Sequence, residues 1–401
     1  MDTYADGSNE LSEDAATFNG LAPYAALREL IPVEDLRAYG VFFTGQDLAR
    51  QLWAPALESL DRESIIVDPA CGAGDLLLLP AAELASRNHP GTISKQIQGA
   101  DLEESFMRTA RARLRIQHAR SDKTEEFGSF EVRDFLRDPT SIENATHVVM
   151  NPPFFPTVAP PECSWAAGKV NSAALFVMQA VQSMKPGSRL LAILPDVLRS
   201  GTRYEKWRAE VASTGSIQRV ETLGQFDMET DVHVFILDMT IGHSARHGLT
   251  RTEWPSPPKS TSTVDTLFEV RVGPVVPHRD KEDGAEAPYL TTKNIHDQGI
   301  PPELRHYSSR LYAGPMVLVS RTSRPGQSPR ARATVWTSDV PSSIENHLIV
   351  IKPLDGKLES CRLLAAVLND ERTTDYLDDR IRCRHLTVSA VREIPWITVE
   401  G

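Results

Sequence analysis

Between Ser64 and Ser86 the chain sets out a strand, a glycine turn and a helix in immediate succession. Ser64-Ile65-Ile66-Val67 is a short apolar run of the kind that fills a sheet covered on both faces. Asp68-Pro69-Ala70-Cys71-Gly72-Ala73-Gly74-Asp75 follows. Leu76 to Ser86 then has helical texture, closed by Asn88, Pro90 and Gly91. This order opens a nucleotide-binding α/β fold, because the glycines let backbone N–H groups approach a ligand at a helix N-terminus. The spacing is not Gly-x-Gly-x-x-Gly and the third glycine is missing, so a dinucleotide fingerprint is not supported.

The alternation continues. Ile97 to Asp101 reads as a second strand and Glu104 to His118 as a helix whose arginines form a solvated face. Phe130-Glu131-Val132 is a third strand and Val148-Val149-Met150 a fourth. Ser172 to Met184 and Tyr204 to Ala212 read as helices. Arg189 to Leu194 and two later runs, near Gln218–Glu221 and Val232–Met239, read as strands. Strands alternating with helices imply a doubly wound, mostly parallel sheet, here closed by a late antiparallel hairpin. Gln46 to Leu60 has an amphipathic helical pattern, which Thr44 is placed to cap. Phe155 to Asn171 is a Pro-rich loop, long for a compact domain, with Trp165 and Lys169 in it.

Three of the strand ends carry polar residues suited to a ligand. Asp101 closes the second strand, where an acid accepts both ribose hydroxyls of an adenosine. Asp134-Phe135 follows the third, where the pair would hold an adenine amino group and cover its ring; the plainer alternative is a loop acid and a core Phe. Asn151-Pro152-Pro153-Phe154 ends the fourth, since two prolines cannot continue a ladder. Asn-Pro-Pro is also an ordinary turn. Its chemistry suits methylation of an exocyclic amine. The lone pair of an adenine amino group is delocalised into the ring. Two acceptors aimed at its N–H bonds, the Asn151 side-chain oxygen and the Pro152 carbonyl, would localise that lone pair and stabilise the charge that grows as a methyl arrives. Phe154 would stack on the base.

The 401 residues are enough for two domains. No apolar run approaches the roughly 20 residues of a membrane span. No basic flank precedes an apolar core at the N-terminus, so no secretory signal is expected and the expected compartment is the cytoplasm. Cys71, Cys163, Cys361 and Cys383 form no Cys-x-x-Cys pair, which argues against a zinc site and a disulfide framework. The net charge of −11 is awkward for a nucleic-acid binder, but it is uneven. From Thr261 onward 18 Lys and Arg stand against 19 Asp and Glu, leaving 25 against 35 in residues 1–260. Local patches decide phosphate binding. Arg321 to Arg332 carries four arginines (Arg321, Arg324, Arg330 and Arg332) and no acid, with the Pro, Gly and Ser content of an exposed loop. The alternative is a solvated loop whose charges offset nearby acids.

Taken in order, Gly40–Thr44, Asp68–Gly74, Asp101, Asp134-Phe135 and Asn151–Phe154 resemble the N6-adenine DNA methyltransferases of the gamma arrangement, a group that includes TaqI-type enzymes and the modification subunits of type I restriction systems. The resemblance covers about residues 38–240, with Ala73 in place of the usual Ser. It implies S-adenosylmethionine as cofactor, held by Phe43, Thr44, Asp68, Ala70, Cys71, Gly72, Gly74, Asp101, Leu102, Asp134 and Phe135, with Asn151 to Phe154 as the catalytic tetrad. Residues 286–398 look, more loosely, like the target recognition domains of type I specificity subunits. Ala287-Pro288-Tyr289-Leu290 with Lys293-Asn294-Ile295, Leu318-Val319-Ser320-Arg321 and Ile394-Pro395-Trp396 carry that likeness. No coiled-coil heptads follow.

The resulting expectation is an α/β methyltransferase domain of the class I, Rossmann-like kind over residues 21–240, after a disordered acidic tail at 1–20. A linker at 241–263 and a smaller α+β target recognition domain at 264–401 complete it. The implied activity is site-specific adenine-N6 methylation of a flipped base in double-stranded DNA, in a restriction-modification or phage-defence setting. Lys169, Arg321, Arg324, Arg330 and Arg332 would contact DNA, and a separately encoded restriction nuclease or defence subunit would be the partner. Pro195-Asp196 has no Glu-x-Lys after it, so no cleavage centre is indicated. The alternatives are an RNA or protein methyltransferase using the same tetrad, or a non-catalytic DNA-binding protein with a decayed methyltransferase fold.

Overall fold

A computed structural model describes residues 44–87, 93–118, 129–226, 232–242, 254, 262–296, 300–382 and 384–397. The expected acidic tail at 1–20, Phe43, Cys383 and most of the expected linker lie outside these residues. Among the described residues no helix is long and apolar enough to cross a membrane. The chain divides into two compact units, one ending at Trp254 and the other beginning at Pro255, with the short stretch Ser200–Thr202 grouped with the second.

The first unit is built on a seven-stranded sheet. Its strands are β1 (Ile66–Asp68), β2 (Ile97–Asp101), β3 (Phe130–Val132), β4 (His147–Met150), β7 (Arg189–Pro195), β8 (Gly215–Gln225) and β9 (His233–Ile241), in the order β3-β2-β1-β4-β7-β9-β8. The first five run parallel, and β9 runs antiparallel to both of its neighbours, β7 and β8. Side chains alternate across the sheet, so each central strand feeds two cores. Val148, Met150, Leu190, Ala192, Leu194, Phe235 and Leu237 face one way, toward helices Ser172–Ser183 and Glu205–Ser213. Val149, Leu191, Ile193, Val234 and Ile236 face the other, toward helices Gly45–Trp53, Asp75–Arg87 and Glu104–His118. Both faces are covered, which is why the central strands read as unbroken apolar runs.

Two local expectations need correction. The helix expected over Gln46–Leu60 stops at Trp53, and a separate turn of 3-10 helix forms at Leu57–Ser59. Pro55 has no N–H to continue the ladder. The stretch Phe155–Asn171 is not plain loop: β5 (Pro156–Val158) and β6 (Lys169–Asn171) pair in a small hairpin, with Val158 opposite Lys169. Trp254, from the expected linker, packs on Trp207 and Phe235 and donates to the Arg208 carbonyl at 3.0 Å.

The second unit has a four-stranded antiparallel sheet, in the order β10 (Phe268–Val272), β16 (Leu348–Pro353), β13 (Met316–Ser320), β14 (Ala333–Trp336). A three-stranded sheet joins β12 (Glu303–Arg305), β11 (Ala287–Leu290) and β15 (Ser343–Ile344) in that order. Val317, Val319, Ile349 and Ile351 face a core shared with helices Leu358–Asn369 and Glu371–Arg380. Met316, Leu318, Leu348 and Val350 face a second core with Leu290 of β11 and Ile344 of β15. The chain is therefore a doubly wound α/β unit with a smaller α+β unit.

Candidate active site

In the first unit the strand order reverses between β1 and β4, and ligands of open α/β sheets bind outside the carboxyl ends of the strands at such a point. Asp68 closes β1 and Asn151 follows β4. Between them lies a cleft lined by Asp68, Ala70, Cys71 and Gly72 of the turn, Asp75 and Leu76 of the helix that follows, Thr44, and Asn151. Residues from three separate stretches thus meet in one place.

The turn is held by its own backbone. Gly72 and Gly74 have φ of 50° and 81°, in the left-handed region that favours glycine. A Cβ on Gly74 would also lie 2.9 Å from the Ala110 Cβ, so helix Glu104–His118 sits against the turn where no side chain fits. The Ala70 N–H donates to Asp68 Oδ1 at 3.0 Å, and the Gly72 N–H to Asp101 Oδ2 at 2.9 Å. Asp101 Oδ1 accepts the Glu103 N–H at 3.1 Å. Its carboxylate is thereby fixed against the turn, with acceptor capacity left for a further donor.

Carboxyl groups are concentrated here. Burial pushes the Asp68 carboxyl well above the usual carboxylate range, against the bond from Ala70, and the Asp101 and Asp75 charges add to the rise. Asp101 is raised too, chiefly by burial, against three backbone N–H groups. Acids crowded in this way favour a ligand that brings positive charge. Burial, with Asp101 and Asp68 beside it, also raises the Cys71 thiol, so Cys71 stays neutral and packs rather than reacts.

The tetrad is shaped by two hydroxyls. Asn151 Nδ2 donates to Thr44 Oγ1 at 3.0 Å. Ser172, fully buried at the start of its helix, donates through Oγ to the Pro153 carbonyl and accepts the Phe155 N–H at 3.1 Å. Among the described residues no donor reaches the Pro152 carbonyl, in contrast to that of Pro153. Phe154 is half-buried and meets Phe226 edge-on, at 6.3 Å between centroids.

Several expected roles change. Thr44 makes no capping bond to the helix it precedes; its hydroxyl is bonded to Asn151 instead. Phe135 is 2 % exposed and packs 5.5 Å from Phe176, so its ring is core and does not cover a ligand. Asp134 accepts the Leu136 N–H at 3.1 Å and pairs with Arg137 at 3.3 Å, while Leu102 stands 64 % exposed beside Asp101. The helix Glu104–His118 is not a solvated arginine face throughout: Arg113 is fully buried and pairs with Asp75 at 2.7 Å. Asp75, Arg113 and Ser172 had no sequence signal of their own, beyond the position of Asp75 directly after the glycine turn.

Of the expected DNA contacts, Lys169, Arg324 and Arg332 are exposed and Arg321 is half-buried, bonded to the Asn346 carbonyl at 2.9 Å. Arg330 is corrected: its side chain is fully buried, with Nη1 on Asp378 at 2.7 Å and Nη2 on the Ile381 carbonyl at 3.0 Å. The loop that carries it is free of acids in sequence, but helix Glu371–Arg380 brings one to it. A second concavity opens here, lined by His296, Ser320, Thr322, Gln327 and Arg332 among others.

The profile of the N-6 DNA methylase family matches residues 27–242, more than half of the chain. The chain belongs to the N-6 DNA methylase family. No curated protein sequence matches it. Among solved structures, the type IIL restriction-modification enzyme MmeI in complex with DNA is similar, with a TM-score of 0.59 at 12 % identity, over 92 % of this chain and 65 % of that one. DrdV in its DNA complex is similar with a TM-score of 0.55 at 11 % identity, over 96 % and 58 %. The type IIG restriction endonuclease BpuSI matches at 14 % identity and a TM-score of 0.48, over 88 % and 58 %. The likenesses to MmeI and DrdV show a shared fold. This N-6 DNA methylase family member spans 58–65 % of the length of those three chains.

Proposed function

We propose that the chain is a site-specific DNA adenine-N6 methyltransferase of a restriction-modification or phage-defence system, with S-adenosylmethionine as cofactor. The carrying observation is the tetrad at the switch point: an amide oriented by Thr44 lies beside a Pro152 carbonyl that no described donor reaches. Asn151 Oδ1 and that carbonyl accept the two N–H bonds of the target amine, which localises its lone pair toward the methyl group. Phe154 stacks on the base. An in-line approach requires the adenine to leave the duplex, and the hairpin after Phe154, with exposed Val158 beside Lys169, is suited to meet the opened strand.

The cofactor supplies an electrophilic methyl group on a cationic sulfur. The residues present fit it: a turn with left-handed glycines at a helix start, acids raised chiefly by burial, and an Asp101 carboxylate fixed against the turn. Asp101→Ala is expected to weaken cofactor binding by about 2–4 kcal/mol, the loss of a pair of charge-assisted bonds. Calorimetry giving wild-type affinity for this variant would remove Asp101 from the site.

Residues 264–401 act as the target recognition domain in this proposal, with Arg324 and Arg332 on phosphates. Changing both to Ala should weaken all DNA sequences alike and lower the salt slope by about one unit for each phosphate no longer neutralised. An unchanged slope would place the DNA elsewhere. The enzyme itself is tested by expression in a host free of adenine methylation and mapping of modified bases. N6-methyladenine at one recurring sequence is the expected result. Its absence would overturn the proposal.

A further inference from the structure

We propose that Asp75 and Arg113 are positioning residues for the Asn151 amide, acting through Gly45 and Thr44. This rests on the catalytic reading of Asn151 given above. Asp75 is the first residue of its helix and 7 % exposed; Arg113 is fully buried. Asp75 Oδ2 accepts the Gly45 N–H at 3.0 Å, and Oδ1 accepts Arg113 Nη1 at 2.7 Å. Arg113 Nη1 also reaches the Ala73 carbonyl at 2.6 Å, inside the glycine turn. Thr44, one residue before Gly45, accepts the Asn151 Nδ2 N–H at 3.0 Å. Four stretches far apart in sequence are joined in one line of bonds from the turn to the amide.

The need for such a line follows from the shape of asparagine. The oxygen and nitrogen ends of its amide are nearly identical in size and differ only in what they bond. An Asn that must present oxygen to an amine needs a fixed partner for its N–H end, and the Thr44 hydroxyl is that partner. Thr44 holds its place only as well as the backbone beside it. Gly45 has φ of 71°, a left-handed geometry, and its N–H is tied to a carboxylate. The carboxylate is in turn held by Arg113, which also balances its charge. A buried ion pair adds little stability over an apolar pair of equal volume; what this one contributes is position.

Two measurements test the proposal on the full-length chain. The first is kcat at saturating cofactor and DNA for Thr44→Val, Asp75→Asn and the two combined. Each single change should lower kcat by about 100-fold, the effect of misplacing a reacting group by about 1 Å. The combination should be no worse than Thr44→Val alone, because both act through one bond, and Thr44→Ser should restore most of the rate. Independent, multiplying effects would overturn the proposal, as would an Asp75→Asn loss that appears only in KM for the cofactor. The second measurement needs no turnover. The Asn151 side-chain amide resonance is followed in protein labelled with 15N-asparagine and assigned by its disappearance in Asn151→Ser. It should shift in Thr44→Val, in Asp75→Asn and in Asp75→Leu with Arg113→Met, the last removing the pair while keeping an apolar fill. A resonance unmoved by the Asp75 variants would overturn the coupling whatever the enzyme methylates. A wild-type protein that leaves adenine unmodified would instead overturn the function, and the resonance would still decide the coupling.

Discussion

Asn151→Ala is expected to lower the methyl-transfer rate by about 100- to 1000-fold, the cost of removing one preorganised group that stabilises developing charge. Cofactor affinity should stay at the wild-type level. The turn bonds of Asp68 and Asp101 run to Ala70, Gly72 and Glu103, and none of them passes through Asn151. The change removes a half-buried side chain whose described bond is to Thr44, so the core on either side of β4 is left intact. An effect on rate without one on binding is the signature of an interaction made only in the transition state. Single-turnover transfer to duplex DNA, with calorimetry of cofactor binding on the same protein, makes the comparison. A variant that keeps most of the wild-type rate would sink the assignment of Asn151, and with it the Thr44 line of bonds as a catalytic device.

The sheet was legible because both of its faces are covered: apolar runs such as Val148–Met150 and Arg189–Leu194 leave few other folds open to them. The strand ends were legible for the same reason, since Asp68, Asp101 and Asn151 each stop an apolar run with a polar residue. The hairpin within Phe155–Asn171 was not, because its strands are only three residues long, too short for a run or an alternation to mark them. Charges misled where their partners are remote. Arg113 sits among surface arginines in sequence, and the acid it meets is 38 positions away. Arg330 lies in a segment without acids, and Asp378 is 48 positions away. Phe135 shows the converse: an aromatic beside a strand-end acid suits a ligand and a core equally, and packing with Phe176 decides it.

The two classes of arginine in the second unit should separate sharply on replacement. Arg330→Ala is expected to cost about 3–5 kcal/mol of stability, because it leaves the Asp378 carboxylate, 18 % exposed, without the charge that compensates it. It also strips the Ile381 carbonyl of a donor, while the Arg330 N–H remains on Thr374 Oγ1 at 3.1 Å. Asp378 Oδ2 accepts the Gly326 N–H at 2.7 Å, so the same carboxylate pins the tip of the loop that carries Arg324. Arg332→Ala and Arg324→Ala remove exposed groups and should stay within about 0.5 kcal/mol of wild type. Hydrogen exchange under increasing urea, read in helix Glu371–Arg380 and strand Met316–Ser320, isolates the second unit where a single unfolding curve would mix the two. DNA binding completes the contrast: Arg330→Ala should lose affinity only as far as the loop loosens, whereas Arg332→Ala should lose it with the fold intact. Wild-type exchange protection in Arg330→Ala together with weakened DNA binding would mean that this buried guanidinium swings out to the ligand, against its ion pair with Asp378.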